Sequence, residues 1–412
     1  MNPPAVGRGA AGGVSPAANS SAASGHRIAM SLARTPLFDW HSSHGGRLVD
    51  FAGWEMPVQY TSIVPEHRAV RTAAGLFDIA HMGRLFFRGP QAAEALEALL
   101  SNEVLSLQPG QVRYSLLTND TGGILDDVLV YRLAHEYLLV VNASNRLKVV
   151  GWLQRHLGRF DVTLHDETTT RFMLALQGPR ALELLQPLVP QPLSPLKYYF
   201  AIETTIGTAP AIISRTGYTG EDGFEVIVPN SAAVELWERL IAAGAPAGLL
   251  PCGLGCRDTL RLEAAMPLYG HELNEQIDPL SAGLKFAVKL EGRTFPGHPA
   301  LLARQRDTAL PRRVGLRLAG RRIAREGSVV HFGGSAVGTV TSGTFSPTLE
   351  QSLAMAYVTP AAATVGTQLT VDIRGQHEPA EVVKLPFYKR VASAILLSPP
   401  LIAFAWNALF PQ

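Results

Sequence analysis

TNDTGGILDDVLVY, residues 118–131, is the stretch whose reading decides the fold. Its first half, Thr118-Asn119-Asp120-Thr121-Gly122-Gly123, has the composition of a tight turn, and its two glycines permit backbone angles that a side chain forbids. Val128 to Tyr131 is β-branched, apolar and aromatic, which signals a strand. Asp126 and Asp127 stand where turn passes into strand. Neighbours on a strand point to opposite faces, so the pair is not expected to act as one two-carboxylate device. At most one Asp should face a pocket, and the other should face solvent or cap the turn.

Working outward, the pattern echoes itself. Strand, Gly-Pro and helix recur as RLFFRGPQAAEALEALL (84–100) and MLALQGPRALELLQPL (173–188). The turn Thr118-x-x-Thr121-Gly122 has a counterpart in Thr216-x-x-Thr219-Gly220, and each leads to an acidic residue followed by Val-x-Val. This predicts two related α+β halves, each delivering a glycine-rich turn to a shared site. Upstream, 63–78 reads as a helix opened by Pro65 and stopped at Gly75. Downstream, 231–244 reads as a helix with Ser231 as N-cap. Residues 255–265 read as another, with Arg257 and Arg261 on one face, solvated and paired to Asp258 or Glu263. From about Arg313, short β runs broken by glycines predict a separate all-β unit of about six strands, with 307–311 as linker.

Composition bounds the function. At roughly 150 residues per domain, 412 residues suggest two or three domains. A formal charge of +2 gives no nucleic-acid footprint. The histidines lack metal-binding spacing, and two cysteines, Cys252 and Cys256, make neither a disulfide framework nor a zinc site. They are expected to be small buried fillers in a reducing compartment. Residues 1–33 are Ala-, Gly-, Ser- and Pro-rich without acidic residues, and are expected to be a disordered extension upstream of a start at Met30 rather than a targeting peptide. Residues 391–412 form an apolar tail interrupted by Pro399-Pro400, expected to be docked or loose and not to span a membrane.

No nucleophile elbow, Walker loop or dinucleotide fingerprint follows a strand. The remaining candidates are the turn carboxylates Asp126 and Glu221, Arg257, and Tyr114, Tyr218 and Tyr388. A carboxylate accepts two hydrogen bonds from an amidine-like edge, aromatic faces sandwich a ring, and an arginine holds a carbonyl or carboxylate. The residues by themselves indicate a site for a planar, nitrogen-rich heterocycle and go no further.

At these residues the chain resembles the aminomethyltransferase of the glycine cleavage system, the T-protein family. The likeness runs over about 34–390 through VDFAGWEMPVQY, EHRAVRTAAGLFDIAHMG, YSLLTNDTGGILDDVLVY, RTGYTGEDGFEV, RDTLRLEAAMPLYGHEL and KLPFYKR. It implies an α+β fold: a three-domain cloverleaf with two related folate-binding lobes over 34–306 and a C-terminal β-barrel domain over 312–390. It further implies transfer of the methylene carbon of an aminomethyl group, carried on the lipoyl arm of the H-protein, to tetrahydrofolate. The products would be 5,10-methylenetetrahydrofolate, ammonia and dihydrolipoyl H-protein. By motif position, Asp126 would sit beside the folate N10, Glu221 would hold the pterin amino edge, and Arg257 would contact the folate. Tyr114, Asn142, Tyr218 and Tyr388 would line the pocket. No metal, nucleic acid or membrane is implied, and the expected state is a cytoplasmic monomer, with the mitochondrial matrix as alternative location. Two competitors share the fold. A folate protein assisting iron–sulfur enzymes would carry a lysine-glycine-cysteine-tyrosine-x-glycine-glutamine motif, where this chain reads RLEAAMPLYG (261–270). A sarcosine or dimethylglycine dehydrogenase would carry a flavin domain in front. A scaffold with a vestigial pocket is the third reading, against which the intact acidic and basic candidates argue.

Overall fold

The computed structural model describes residues 31–390. The readings of the N-terminal extension before residue 31 and of the apolar tail fall outside the described residues. Ala33, counted with that extension in the sequence, instead exchanges backbone hydrogen bonds with Gly53 and Glu55.

Two sheets carry the α+β region. The first is antiparallel, in the order Val112–Thr118, Ile124–Arg132, Tyr137–Val141, Gly83–Arg88, Thr163–Asp166. The second runs Ala201–Ile206, Ala209–Ser214, Gly223–Pro229, Arg171–Gln177, Ala74–Asp78, Leu249–Pro251, and only its last pair is parallel. Each sheet buries one face under helices. Leu96, Leu99, Val149 and Leu153, from Ala92–Leu99 and Arg146–Leu157, cover the first. Leu236, Trp237 and Leu240, from Ala233–Gly244, cover the second. The other two faces meet each other: Phe86, Tyr131 and Leu138 pack with Met173, Ile212 and Ile227. Each such buried side chain contributes roughly 1.5–3 kcal/mol, so the sheets are held face to face by apolar burial wherever polar groups are not needed.

Residues 312–383 form a closed six-stranded barrel, in the order Arg312–Leu318, Gln351–Val358, Ser335–Ser346, Val329–Phe332, Gln368–Ile373, Gln376–Val383. The α+β class and the all-β C-terminal unit stand as read from the sequence. Cys252 and Cys256 are free and buried.

The echo is half structural. After Gly83–Arg88 and after Arg171–Gln177 the chain turns through Gly89 and Gly178, at φ 135° and 134°, into Ala92–Leu99 and Ala181–Leu185. These angles belong to glycine, and a Cβ at Gly178 would sit 2.6 Å from the Ala73 carbonyl oxygen. The Thr-Gly turns, however, do not correspond. Gly122 joins the first and second strands of its sheet, while Gly220 joins the second and third of the other. Both have φ near 82°, so the likeness is one of turn chemistry and not of place.

Three local readings change. The helix expected over 63–78 is Ile63–Thr72, followed by the strand Ala74–Asp78. That strand is buried on both faces, so it shows no alternation, and Gly75 lets it lie against Val70 and Cys252. Ser231 makes no capping bond, because it lies within a 3-10 turn, Asn230–Ala232. Arg261 is not on a solvated face. Its side chain is 2% exposed, and it binds Asp258 and Glu272, each at 2.8 Å.

Gly178→Ala should therefore destabilise the protein by about 2 kcal/mol or more, through strain plus the carbonyl clash. Gly53→Ala, at φ 81° with nothing within 4 Å of the added Cβ, should cost about 1 kcal/mol. Thermal unfolding of the two variants side by side checks the ordering.

Candidate active site

A cavity of about 880 Å³ opens where the facing sheets, the helix Leu254–Glu263 and the barrel meet. Strand periodicity decides which carboxylate of the central stretch enters it. Val128 and Val130 belong to the core under the helices, and Tyr131 to the core between the sheets. Asp126 therefore shares the helix side with Val128, and Asp127 shares the inner side with Leu129 and Tyr131. Asp127 lines the cavity and Asp126 does not.

Asp126 has no exposed surface. It accepts hydrogen bonds from the Asn142 backbone N–H at 3.1 Å, Asn142 Nδ2 at 2.8 Å and Asn145 Nδ2 at 2.6 Å. These ties fix the turn that starts the helix Arg146–Leu157, so its observed place is structural. Asp127 receives the Tyr114 hydroxyl at 3.0 Å and the same Asn142 Nδ2 at 2.7 Å. The two carboxylates face opposite sides, as the strand reading expected, and one amide nitrogen, Asn142 Nδ2, bonds to both. Burial, and then repulsion from Asp127, raise the Asp126 pKa; burial also raises that of Asp127. The pair resists carrying two charges together.

Glu221 and Tyr388 come together, but away from the cavity. Glu221 Oε1 accepts the Tyr388 hydroxyl at 2.7 Å and Arg71 Nη1 at 2.9 Å. Arg71 stacks on the Tyr388 ring at 3.9 Å and also pairs with Glu263 at 2.8 Å. In place of Glu221, the cavity wall carries Glu225, on the strand Gly223–Pro229. It is 6% exposed, accepts the Thr216 hydroxyl at 2.6 Å, and has its pKa raised by burial. Its signal was present in the sequence as a lone acid within the apolar run GFEVIV.

Arg257 lines the same wall, its guanidinium 4.8 Å from the centre of the Tyr218 ring. Its Nη1 is buried without a hydrogen-bond partner. Burial lowers its pKa, and the neighbouring Glu225 opposes that shift. An unpartnered buried guanidinium nitrogen is costly unless a ligand oxygen meets it. Tyr114, Asn142 and Tyr218 also line the cavity, with Tyr114 stacked on Phe286 at 5.8 Å. Strain gathers at this site: of five non-glycine residues at positive φ among the described residues, Ala52, Tyr199 and Ala265 lie on its wall. Nothing in residue type announces those three. Among the described residues, no group of three or more His, Cys, Asp or Glu is placed to hold a metal ion.

Comparison with known proteins agrees in family. A family model described as the GCVT N-terminal domain matches residues 37–292, and one described as the glycine cleavage T-protein C-terminal barrel domain matches 312–389. An aminomethyltransferase of Streptomyces coelicolor is 50% identical, over 87% of this chain and 98% of the relative. One of Rubrobacter xylanophilus is 52% identical, over 87% and 95%. The crystal structure of glycine cleavage system aminomethyltransferase T from Bartonella henselae superimposes with a TM-score of 0.82 at 36% identity, covering 87% of this chain and 99% of that one.

The charge network beside the cavity makes a prediction about pH. Glu263 has no exposed side-chain surface and meets His67 at 3.2 Å, Arg71, Thr348 and the Ser346 hydroxyl. Burial alone would raise its pKa, but His67 first, then Arg71 and Ser346, hold it at about 2. A depressed carboxylate stabilises the fold above its unfolded pKa, and that contribution disappears between about pH 4.5 and pH 2. Wild type should lose on the order of 3 kcal/mol more than Glu263→Gln across that window. Urea midpoints taken at several pH values read the difference.

Proposed function

Because the chain belongs to the aminomethyltransferase family of the glycine cleavage T-protein, and is an aminomethyltransferase, we propose its substrates and the roles of its residues. The donor is the aminomethyl group on the lipoyl arm of the H-protein, and the acceptor is tetrahydrofolate. Methylene transfer removes one proton from each of two folate nitrogens. One proton leaves with ammonia and the other returns to the lipoyl sulfur, giving 5,10-methylenetetrahydrofolate and dihydrolipoyl H-protein.

The observation that supports this reading best is the Asp127 carboxylate, fixed by Tyr114 and Asn142 in a cavity whose opposite sheet presents Glu225 and whose helix presents Arg257. In this account the role expected of Asp126 passes to Asp127, and that of Glu221 to Glu225. Asp127 lies where positive charge develops on the folate nitrogens. A carboxylate already oriented by two donors stabilises that charge without reorganising, and its raised pKa also suits it to accept a proton. Glu225 accepts from the amino and ring N–H edge of the pterin. Arg257 supplies its free N–H to a carbonyl or carboxylate oxygen of the folate, and the Tyr218 ring backs it. Asn142 is a positioning residue that holds both aspartates. Tyr388 is left out of the pocket. The chain is proposed to act as a monomer in the cytoplasm, with the H-protein as its protein partner.

Asp127→Asn should lower the rate of methylenetetrahydrofolate formation by about 10²-fold or more while leaving tetrahydrofolate binding within a few-fold. Asp126→Asn should mainly lower thermal stability. The assay combines purified protein, tetrahydrofolate and aminomethyl-loaded H-protein, and loss of turnover confined to Asp126→Asn would sink the assignment. Glu225→Gln should weaken tetrahydrofolate binding by roughly tenfold, because a charge-assisted acceptor is lost; fluorescence titration measures it.

A further inference from the structure

One chemical group on the cavity wall has no part in the scheme above. His81 is 2% exposed and lines the cavity, yet neither ring nitrogen has a hydrogen-bond partner among the described residues, and Nδ1 is wholly buried. Buried polar atoms are normally paired, so an orphan on a cavity wall points to a ligand.

The segment that carries it is held with unusual firmness. Residues 79–82 link a strand of one sheet, Ala74–Asp78, to a strand of the other, Gly83–Arg88. At one end Asp78, itself bound by His41 at 2.9 Å and Thr35 at 2.6 Å, accepts the Ala80 N–H at 2.8 Å. At the other end Arg84, with no exposed surface, donates to the carbonyls of Met82 at 2.6 Å and Ala80 at 2.9 Å. Two buried charges thus clamp a four-residue link whose one chemistry-bearing side chain is His81. The wall around it is apolar: Ile79 and Met82 also line the cavity, and Phe51 meets the imidazole edge-on at 5.5 Å. Phe51 is 36% exposed, so this wall reaches solvent, where an arm delivered by another protein would enter.

An aminomethylated lipoyl arm is a largely apolar chain whose reacting end bears one strong hydrogen-bonding group, the amine, beside a weakly bonding thiol. We propose that His81 binds the amino group of the aminomethyl donor, its imidazole accepting an N–H of that amine while Phe51 and Met82 pack against the apolar arm. This rests on the transfer reaction proposed above. Burial drives the His81 pKa down to about 3, Asp78 opposing that shift and Arg257 and Arg84 adding to it. At neutral pH the ring therefore keeps one acceptor nitrogen, and it does not repel an amine as an imidazolium would.

The test uses steady-state kinetics with aminomethyl-loaded H-protein at saturating tetrahydrofolate, for wild type, His81→Phe and His81→Gln. Reduced H-protein without the aminomethyl group serves as competitive inhibitor. His81→Phe should lower kcat/KM for the loaded donor by about tenfold or more. The inhibition constant of the unloaded protein and the tetrahydrofolate Kd should stay within about twofold, since neither contains the amine. His81→Gln, which restores an acceptor oxygen, should recover part of the loss. An unchanged kcat/KM in His81→Phe overturns the inference, as does a parallel rise in the inhibition constant and Kd, which would make His81 part of the wall only. A wild-type protein that forms no methylenetetrahydrofolate overturns the transfer reading itself, an outcome distinct from either.

Discussion

A carboxylate without exposed surface, Glu263, ends the helix Leu254–Glu263 and gathers His67, Arg71, Ser346 and Thr348 around it. Those partners come from the helix Ile63–Thr72 and from the barrel strand Ser335–Ser346 and the turn after it. Charge this deeply buried is tolerated only when fully paired, and removing one partner strands the rest. The same helix places Arg261 against Glu272 and the barrel residue Ser342 at 2.8 Å each. One turn earlier stands Arg257, whose guanidinium is not fully paired. The network thus fixes the helix that carries Arg257 to the cavity wall.

That arrangement divides labour between neighbours of like chemistry. Asp126 ties a turn while Asp127 faces the cavity; Glu221 joins Arg71 and Tyr388 while Glu225 faces the cavity; Arg261 is satisfied while Arg257 is not. In each pair one residue is tied into the framework, while its neighbour lines the cavity and keeps hydrogen-bonding capacity for a ligand, even where protein donors orient it, as at Asp127 and Glu225. Preorganisation of this kind costs stability, visible in the strained backbone at Ala52, Tyr199 and Ala265, and apolar contact between the sheets offsets it.

Much of this could be read from the residues. Short β runs broken by glycines announced an all-β unit without deciding between sandwich and barrel, and the Gly-Pro echo announced two strand–helix units that share one backbone path. The strand Ala74–Asp78 was hidden because burial on both faces removes the alternation that marks a strand. The two Thr-Gly turns matched in chemistry without matching in topology, a distinction that only strand order reveals. Motif position chose Asp126 over Asp127 and Glu221 over Glu225, whereas strand parity chooses the other member each time. Counting from Tyr131 inward would have favoured Asp127, had the face occupied by Tyr131 been known. His81 carried no signal at all, since its importance lies in having no partner.

The central claim is that ligand contact belongs to Asp127, Glu225 and Arg257 in the cavity between the sheets. The most direct measurement is a crystal structure of the protein with tetrahydrofolate bound. The account predicts folate nitrogens within hydrogen-bond distance of Asp127 and Glu225, and a folate oxygen on Arg257 Nη1. Folate held instead by Asp126 or Glu221, or seated outside that cavity, would contradict it.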